Sequence, residues 1–352
     1  MPSLYITGSR LPRPAADRVV FCDGGVDATY RREFDLELSH WIPNTTPPQF
    51  KADTSTEICL RFVESERCDF DLVVNNHVDV DGVLSTFVLL HPELALQHRK
   101  CLVQAAEIGD FGGWGDAPAQ QLFQSLVCLI AQLRACDTDA LEIYLRCYQR
   151  VHACLSGATF AECEPGLAAL RASLARIESG AIARTLITQR LVHYAVPRAL
   201  AEPDVAAALH VPAFDTPWSA ASLLSPNARA RLDQERVQLV SIEAAGGVYY
   251  DLWYPGYCWA ETVQLWRPPG MQSTGSSNQH SLQHAQLASA VAELAALETA
   301  DGCWTLAVKL SPFASLPGRS FPVVLAFMKE DQPVASGLSA AIVTEQLARA
   351  FA

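Results

Sequence analysis

The chain has 352 residues and a formal net charge of −12; half of it is hydrophobic and 18% is charged, so it can bury a sizeable core and is too apolar to be disordered. The acidic balance disfavours nucleic acid as a partner, because phosphate backbones need basic surface. No apolar run approaches the roughly 18 residues that a membrane-spanning helix requires, and Met1 to Arg13 lacks an apolar signal core, so a soluble, cytoplasmic protein is expected.

The first hundred residues alternate between strand and helix signals. Arg18 to Cys22 reads as a short buried strand ending at Asp23-Gly24-Gly25. Phe34 to Trp41 alternates apolar and polar residues as a half-buried strand does. Asp53-Thr54-Ser55 offers caps for a helix through Ile58, Leu60 and Phe62. Phe70 to Val74 is the next strand, a polar motif follows it, and Val83 to Leu90 begins a helix. Cys101 to Ala106 is expected to be another strand, closing at Glu107 to Asp110. This rhythm predicts a βαβ unit with a parallel sheet.

From about residue 116 to 180 the period becomes helical, with Leu122, Leu126, Leu129 and Leu133 on one stripe. Leu186 to Val196 returns to strand character. The rest reads as α+β: the aromatic stretch "GGVYYDLWYPGYCWAE", strands near Trp304 to Leu310 and Phe321 to Phe327, and a helix over Ser339 to Phe351. The fold expected is α/β. An α/β metal-binding domain would occupy 1–200, with helices over about 116–180, and a smaller α+β substrate or cap domain 201–352. The 11 cysteines include no C-x-x-C pair, so Cys128, Cys136, Cys147 and Cys154 read as small hydrophobes on helices.

The chemistry concentrates in "NNHVDVDGVLS", residues 75–85, directly after the apolar run Leu72-Val73-Val74. Carboxylates this close repel unless a cation or a hydrogen-bond network holds them. A calcium-binding EF-hand loop is excluded: its twelfth position would be Val88, and a strand precedes it where that loop needs a helix. Alternate residues leaving a strand end project alike, so His77, Asp79 and Asp81 can converge on one ion. Gly82 permits the turn into a helix whose N-terminus favours phosphate. Carboxylates plus an imidazole suit Mn2+ or Mg2+ better than Zn2+, with Fe2+ also admissible.

His77-x-Asp79-x-Asp81-Gly82-x-x-Ser85 resembles the first motif of RecJ-like members of the DHH phosphoesterase superfamily. That resemblance implies one or two divalent ions, usually manganese, held by His77, Asp79 and Asp81, with a metal-activated water as nucleophile. The Asp-His-His triplet that names the superfamily is absent, as is its glycine-rich C-terminal signature. "DVDGVLS" also resembles the opening of haloacid-dehalogenase-like phosphatases, in which Asp79 would be the nucleophile and Asp81 the general acid.

Other residues complete the expected site. Asp110, at the presumed end of the following strand, is the best additional ligand. Asp23 and His40 end earlier strands and follow as weaker candidates, while Asp53 reads as a helix cap and His193 as a structural histidine. His280 and His284 stand i, i+4 at a helix start, a spacing that can share a metal. Asn76, Ser85, Arg267 and Arg319 are the candidates for holding substrate. The aromatic stretch is a core, or else a stacking wall. The function expected is metal-dependent hydrolysis of a small anionic phosphoester. A non-hydrolytic ligand-binding or tailoring protein is the alternative, and a homo-oligomer stays open.

Overall fold

The computed structural model describes residues 2–65, 69–220, 222–263, 270–273, 280–313 and 315–352. The chain starts with Ser3–Ile6 (β1), Val19–Cys22 (β2) and Leu36–Leu38 (β3), then Ser55–Ser65 (α1), Leu72–Asn75 (β4) and Val80–Leu90 (α2). Strands β1 to β4 form a sheet in the order β1-β4-β2-β3, with every pairing parallel. The C-terminal ends of β2, β3 and β4 therefore open at one edge, where ligands of open α/β sheets bind. Helix α2 starts because Asp79 caps it, and Val83, Leu84, Phe87 and Val88 are all buried. Each such side chain contributes about 1.5–3 kcal/mol of burial.

Pro92–Gln97 (α3) leads into Arg99–Phe111 (α4), which corrects the strand expected over Cys101 to Ala106. Leu102, Ala105, Ala106 and Phe111 are buried at helical spacing, and Ala, Gln and Glu favour helix. Gly112, at φ +60°, closes α4 in the left-handed conformation glycine accepts most easily. Ala117–Ala135 (α5), Ala140–Leu155 (α6) and Glu164–Glu178 (α7) supply the helical segment. With α1, α2 and α4, helices α5 and α6 enclose the first core.

Ala183–Leu186 (β5) and Leu191–Val196 (β6) precede residue 200 yet hydrogen-bond into the second sheet. After the short helices Arg198–Ala201 (α8) and Val205–Ala208 (α9) come Pro226–Asp233 (α10), Val237–Ala244 (β7) and Gly247–Trp253 (β8). The remaining elements are Met271–Ser273 (β9), His280–Leu282 (β10), Ala285–Leu297 (α11), Cys303–Leu306 (β11), Lys309–Leu310 (β12), Val323–Lys329 (β13), Gln332–Pro333 (β14) and Ala340–Ala350 (α12). The second sheet runs β11-β13-β8-β7-β6-β5, with β14 beside β13 and β6–β7 its parallel pairing among antiparallel ones. A small antiparallel sheet, β12-β10-β9, lies apart from it. The class is α/β, with one parallel and one mixed sheet. Among the described residues, no helix is long and apolar enough to cross a membrane.

Candidate metal centre at the edge of the parallel sheet

Three strand ends deliver side chains to one point. Strand β2 stops at Asp23, whose φ of +55° lies in the left-handed region that Asp tolerates. At Gly24, φ +74°, an added Cβ would stand 2.4 Å from Asn76 Oδ1, so the β2 turn and the motif loop touch. Strand β3 runs on into Ser39, His40 and Trp41. At the end of β4, Asn75 donates to the Cys22 carbonyl (2.9 Å) and accepts from the His77 amide (2.8 Å), tying the two strand ends together.

The motif then divides its ligands between two groups. His77 Nε2 lies 2.6 Å from Asp79 Oδ2 and 3.2 Å from Asp23 Oδ2, while its Nδ1 meets Asn76 Oδ1 at 2.7 Å. Asp79 Oδ1 accepts from the Gly82 amide at 2.8 Å, the N-cap bond of α2. A Cβ on Gly82 would stand 2.8 Å from both Asn75 Nδ2 and Tyr144 Oη, so this corner has no room for one. Asp81 reaches the other way and accepts from the Ser55 and Thr56 amides, each at 2.8 Å. These are free donors of the first turn of α1, where the helix dipole favours an anion. Thr54 Oγ1 accepts from the Glu57 amide and so takes the capping role expected of Asp53. Asp53 itself accepts from the Val263 amide.

His40 occupies the centre of the second group. Its Nδ1 is 2.6 Å from the Asp53 carbonyl, an acceptor only, so Nδ1 carries a proton and Nε2 is the nitrogen turned toward the carboxylates. That Nε2 has no hydrogen-bond partner and lies 3.1 Å from Asp110, 3.7 Å from Asp23 and 3.7 Å from Asp81. Asp110 comes from the last turn of α4, not from a strand end, and neither of its oxygens has a hydrogen-bond partner. Asp23 Oδ1 is fixed by Trp41 Nε1 (2.8 Å) and Ser55 Oγ (2.9 Å). Asp23, His40, Asp81 and Asp110 form one set of potential metal ligands; Asp23, His77 and Asp79 form another, with Asp23 common to both.

The electrostatics follow from burying like charges together. Burial pushes the Asp110 carboxyl well above its ordinary range, and Asp81, Asp79, Asp23 and Asp215 push it further. Asp81 is raised by burial and Asp23, against the pull of His40 and Thr56. Burial opposes charge on His77, but Asp79 and Asp23 outweigh it and hold the imidazole well above its usual value. Asp215 was not legible in the sequence, since it stands alone in a loop with no motif around it. Its Oδ2 accepts from the Val80 amide at 2.7 Å, its Oδ1 is buried without a partner, and burial followed by Asp79 raises it strongly.

Aromatic side chains from both parts of the chain cover the centre. The Trp259 ring stands 5.1 Å from His40 and 4.8 Å from Trp41, Phe111 is 5.7 Å from His40, and Trp41 is 5.3 Å from His77. Tyr250, Tyr254, Tyr257 and Trp259 are buried in one hydrophobic cluster and Trp253 in another, and Trp259 also faces the centre.

The other expected residues lie as follows. Asn76 orients His77, and Ser85 is buried within α2. Arg319 pairs with Asp251 on β8 and donates to the Leu209 carbonyl (3.1 Å). Arg267 lies outside the described residues. His280 opens strand β10 while His284 precedes α11, so the shared helix expected for them does not form; the His284 ring packs on Phe351. His193 is a strand residue bonded to Ser241 Oγ (2.7 Å). Arg134, not singled out by any motif, donates to the Val78 carbonyl within the motif loop.

Residues 11–178, just under half of the chain, match the model of DUF6687, a family of unknown function. The matched span holds Asp23, His40, His77, Asp79, Asp81 and Asp110, and ends before Asp215 and the aromatic stretch. No curated protein and no solved structure matches the chain.

Proposed function

We propose that the protein is a metal-dependent hydrolase of a small phosphoester or related anionic substrate. One observation carries the reading: His40, oriented by the Asp53 carbonyl, turns an Nε2 without a hydrogen-bond partner toward three buried carboxylates. Buried polar groups gathered without hydrogen bonds cost free energy, and a divalent cation turns the same arrangement into a ligand set. A histidine oriented through its second nitrogen is also the usual form of a metal ligand. His77 and Asp79 would hold the cation with Asp23, and His40, Asp81 and Asp110 would do so on Asp23's other side. The oxygen-rich donors favour manganese or magnesium. The resemblance of the motif to DHH phosphoesterases accords with this donor set.

A divalent cation held there supplies a hydroxide nucleophile near neutral pH and neutralises charge on the substrate's oxygens. The chain's own residues do the rest. Trp41 and Ser55 hold Asp23 in place, Asn76 orients His77, and Trp259 and Phe111 keep bulk water from His40. An Asp79 nucleophile finds less support, because Asp79 Oδ1 accepts from the Gly82 amide at the start of α2 and Oδ2 meets His77.

Elemental analysis of protein purified without chelator, wild type against His77→Ala/Asp110→Asn, is the test. About one or two equivalents of manganese, iron or zinc, lost in the variant, are expected, with ester hydrolysis lost alongside. A metal-free wild type whose melting temperature ignores added manganese and magnesium overturns the metal reading. Metal without hydrolysis of any phosphoester leaves a ligand-binding protein.

A further inference from the structure

Asp110 has two sides. Its carboxylate lies 3.1 Å from His40, and with its neighbours in α4 the residue lines one wall of a cavity. The opposite walls come from residues 212–218 and from Trp253, Phe321 and Pro322 of the second half. Resting on the hydrolase reading above, we propose that this cavity seats an uncharged, apolar ring of the substrate. The substrate class is then a phosphoric ester of an aryl or similarly hydrophobic alcohol, in preference to a sugar phosphate or a polynucleotide.

The walls make the choice. Phe111, Phe123, Phe214, Trp218, Trp253 and Phe321 present rings, and most of the remaining lining is proline, glycine and aliphatic surface. No lysine, arginine or histidine lines it among the described residues. The neutral polar side chains Asn227 and Thr216 on its walls are engaged. Asn227 donates to the Gly113 carbonyl (2.8 Å) and accepts from Trp218 Nε1 (2.9 Å). Asp215 Oδ2 takes the Val80 amide; Asp215 Oδ1 and both Asp110 oxygens are buried without a hydrogen-bond partner, and the phosphoryl group, not the ring, takes the place beside Asp110. A polyol would lose its water-bound hydroxyls there with little in return, whereas an apolar ring gains contact with rings.

Position links the cavity to the chemistry. The cavity and the acidic centre share Asp110, and Asp215 on the cavity wall bonds the Val80 amide between the ligands Asp79 and Asp81. With the phosphoryl group at the centre, the alcohol portion extends into the cavity. In the hydrolysis, a water oxygen forms the new bond to phosphorus and the bond to the alcohol oxygen breaks. A proton from that water ends on the alcohol, which leaves neutral.

The test compares 2-phenylethyl phosphate with ethyl phosphate, whose leaving alcohols are similar in acidity, on the manganese-loaded full chain. It also measures binding of neutral 1-naphthol by tryptophan fluorescence. The phenylethyl ester should have a kcat/KM on the order of ten- to a hundredfold higher, the worth of burying one ring. Ala213→Trp, at an exposed position of the lining, should collapse that preference and abolish naphthol binding, and Thr216→Phe repeats the test at a second lining position. Equal kcat/KM values for the two esters overturn the proposal, as does naphthol binding that is absent or indifferent to both variants. Naphthol binding lost in both variants, with no turnover of any ester, supports the seat and refutes the hydrolase reading instead.

Discussion

The two sheets treat buried charge in opposite ways. Around the mixed sheet the buried carboxylates meet guanidiniums: Asp251 on β8 pairs with Arg319, and Asp233 at the end of α10 takes Arg184 at 2.7 Å and Arg236 at 2.9 Å. At the edge of the parallel sheet, Asp23, Asp79, Asp81, Asp110 and Asp215 gather around two imidazoles, and no lysine or arginine bonds any of them among the described residues. Pairing is what a fold needs to tolerate a buried charge. A group left incomplete in a chain that elsewhere completes its pairs marks a place shaped for something other than stability.

Substitutions break the comparison at its sharpest point. Asp110→Asn should lower hydrolysis by about a thousandfold or more by removing a metal ligand. In chelator-treated protein the same change should not destabilise, because it removes one of several mutually repelling carboxylates. Melting temperature with and without manganese reads both effects, and equal destabilisation in the two conditions would give Asp110 a purely structural role. Arg319→Ala should do the reverse. It strands Asp251 in a site where the two side chains are only 7% and 6% exposed, at a cost of about 3–5 kcal/mol. Metal content and KM should stay unaltered; a raised KM would return Arg319 to the substrate-holding role expected from the sequence. Trp41→Phe comes next: it removes the Nε1 donor that fixes Asp23, and supporting groups of this kind typically contribute 10- to 100-fold in metal affinity. A manganese titration measures it.

The same contrast explains what could be read from the sequence. The motif was legible because strand, polar alternation and helix start are local patterns, and Asp23 and His40 carried the same strand-end signal more faintly. Asp110 is brought beside the motif by a helix and not by the strand expected. The run Cys101 to Ala106 is apolar over too short a window to separate strand from helix, and its burial at Leu102, Ala105 and Ala106 has the helical period. Asp215 and Trp259 reach the centre only through packing of the second half on the first, which no local window contains. Arg319 is held by Asp251, and no local pattern separates an arginine that awaits a ligand from one that already holds a buried aspartate.

Acidity should pull the two regions in opposite directions, by the smallest of these effects. On the acidic side, burial lifts the Glu107 carboxyl from 4.5 to about 7, with Asp53, Glu57 and Asp81 adding to it. Between these values the folded chain binds more protons than the unfolded one, so this contribution to stability declines as pH rises through the window. On the paired side, burial works against the Asp233 charge, but bonds from Arg184 and Tyr194 outweigh it and keep the carboxyl below 3.8. Its stabilisation is complete above that value and is lost as pH falls through the folded-state pKa. Melting curves of metal-free protein at a series of pH values should therefore show Glu107→Gln flattening the decline between about 4.5 and 7. Asp233→Asn should be destabilising at neutral pH and converge on wild type in strong acid. If both variants shift the curve by a constant amount, the two carboxylates do not differ in the way their surroundings require.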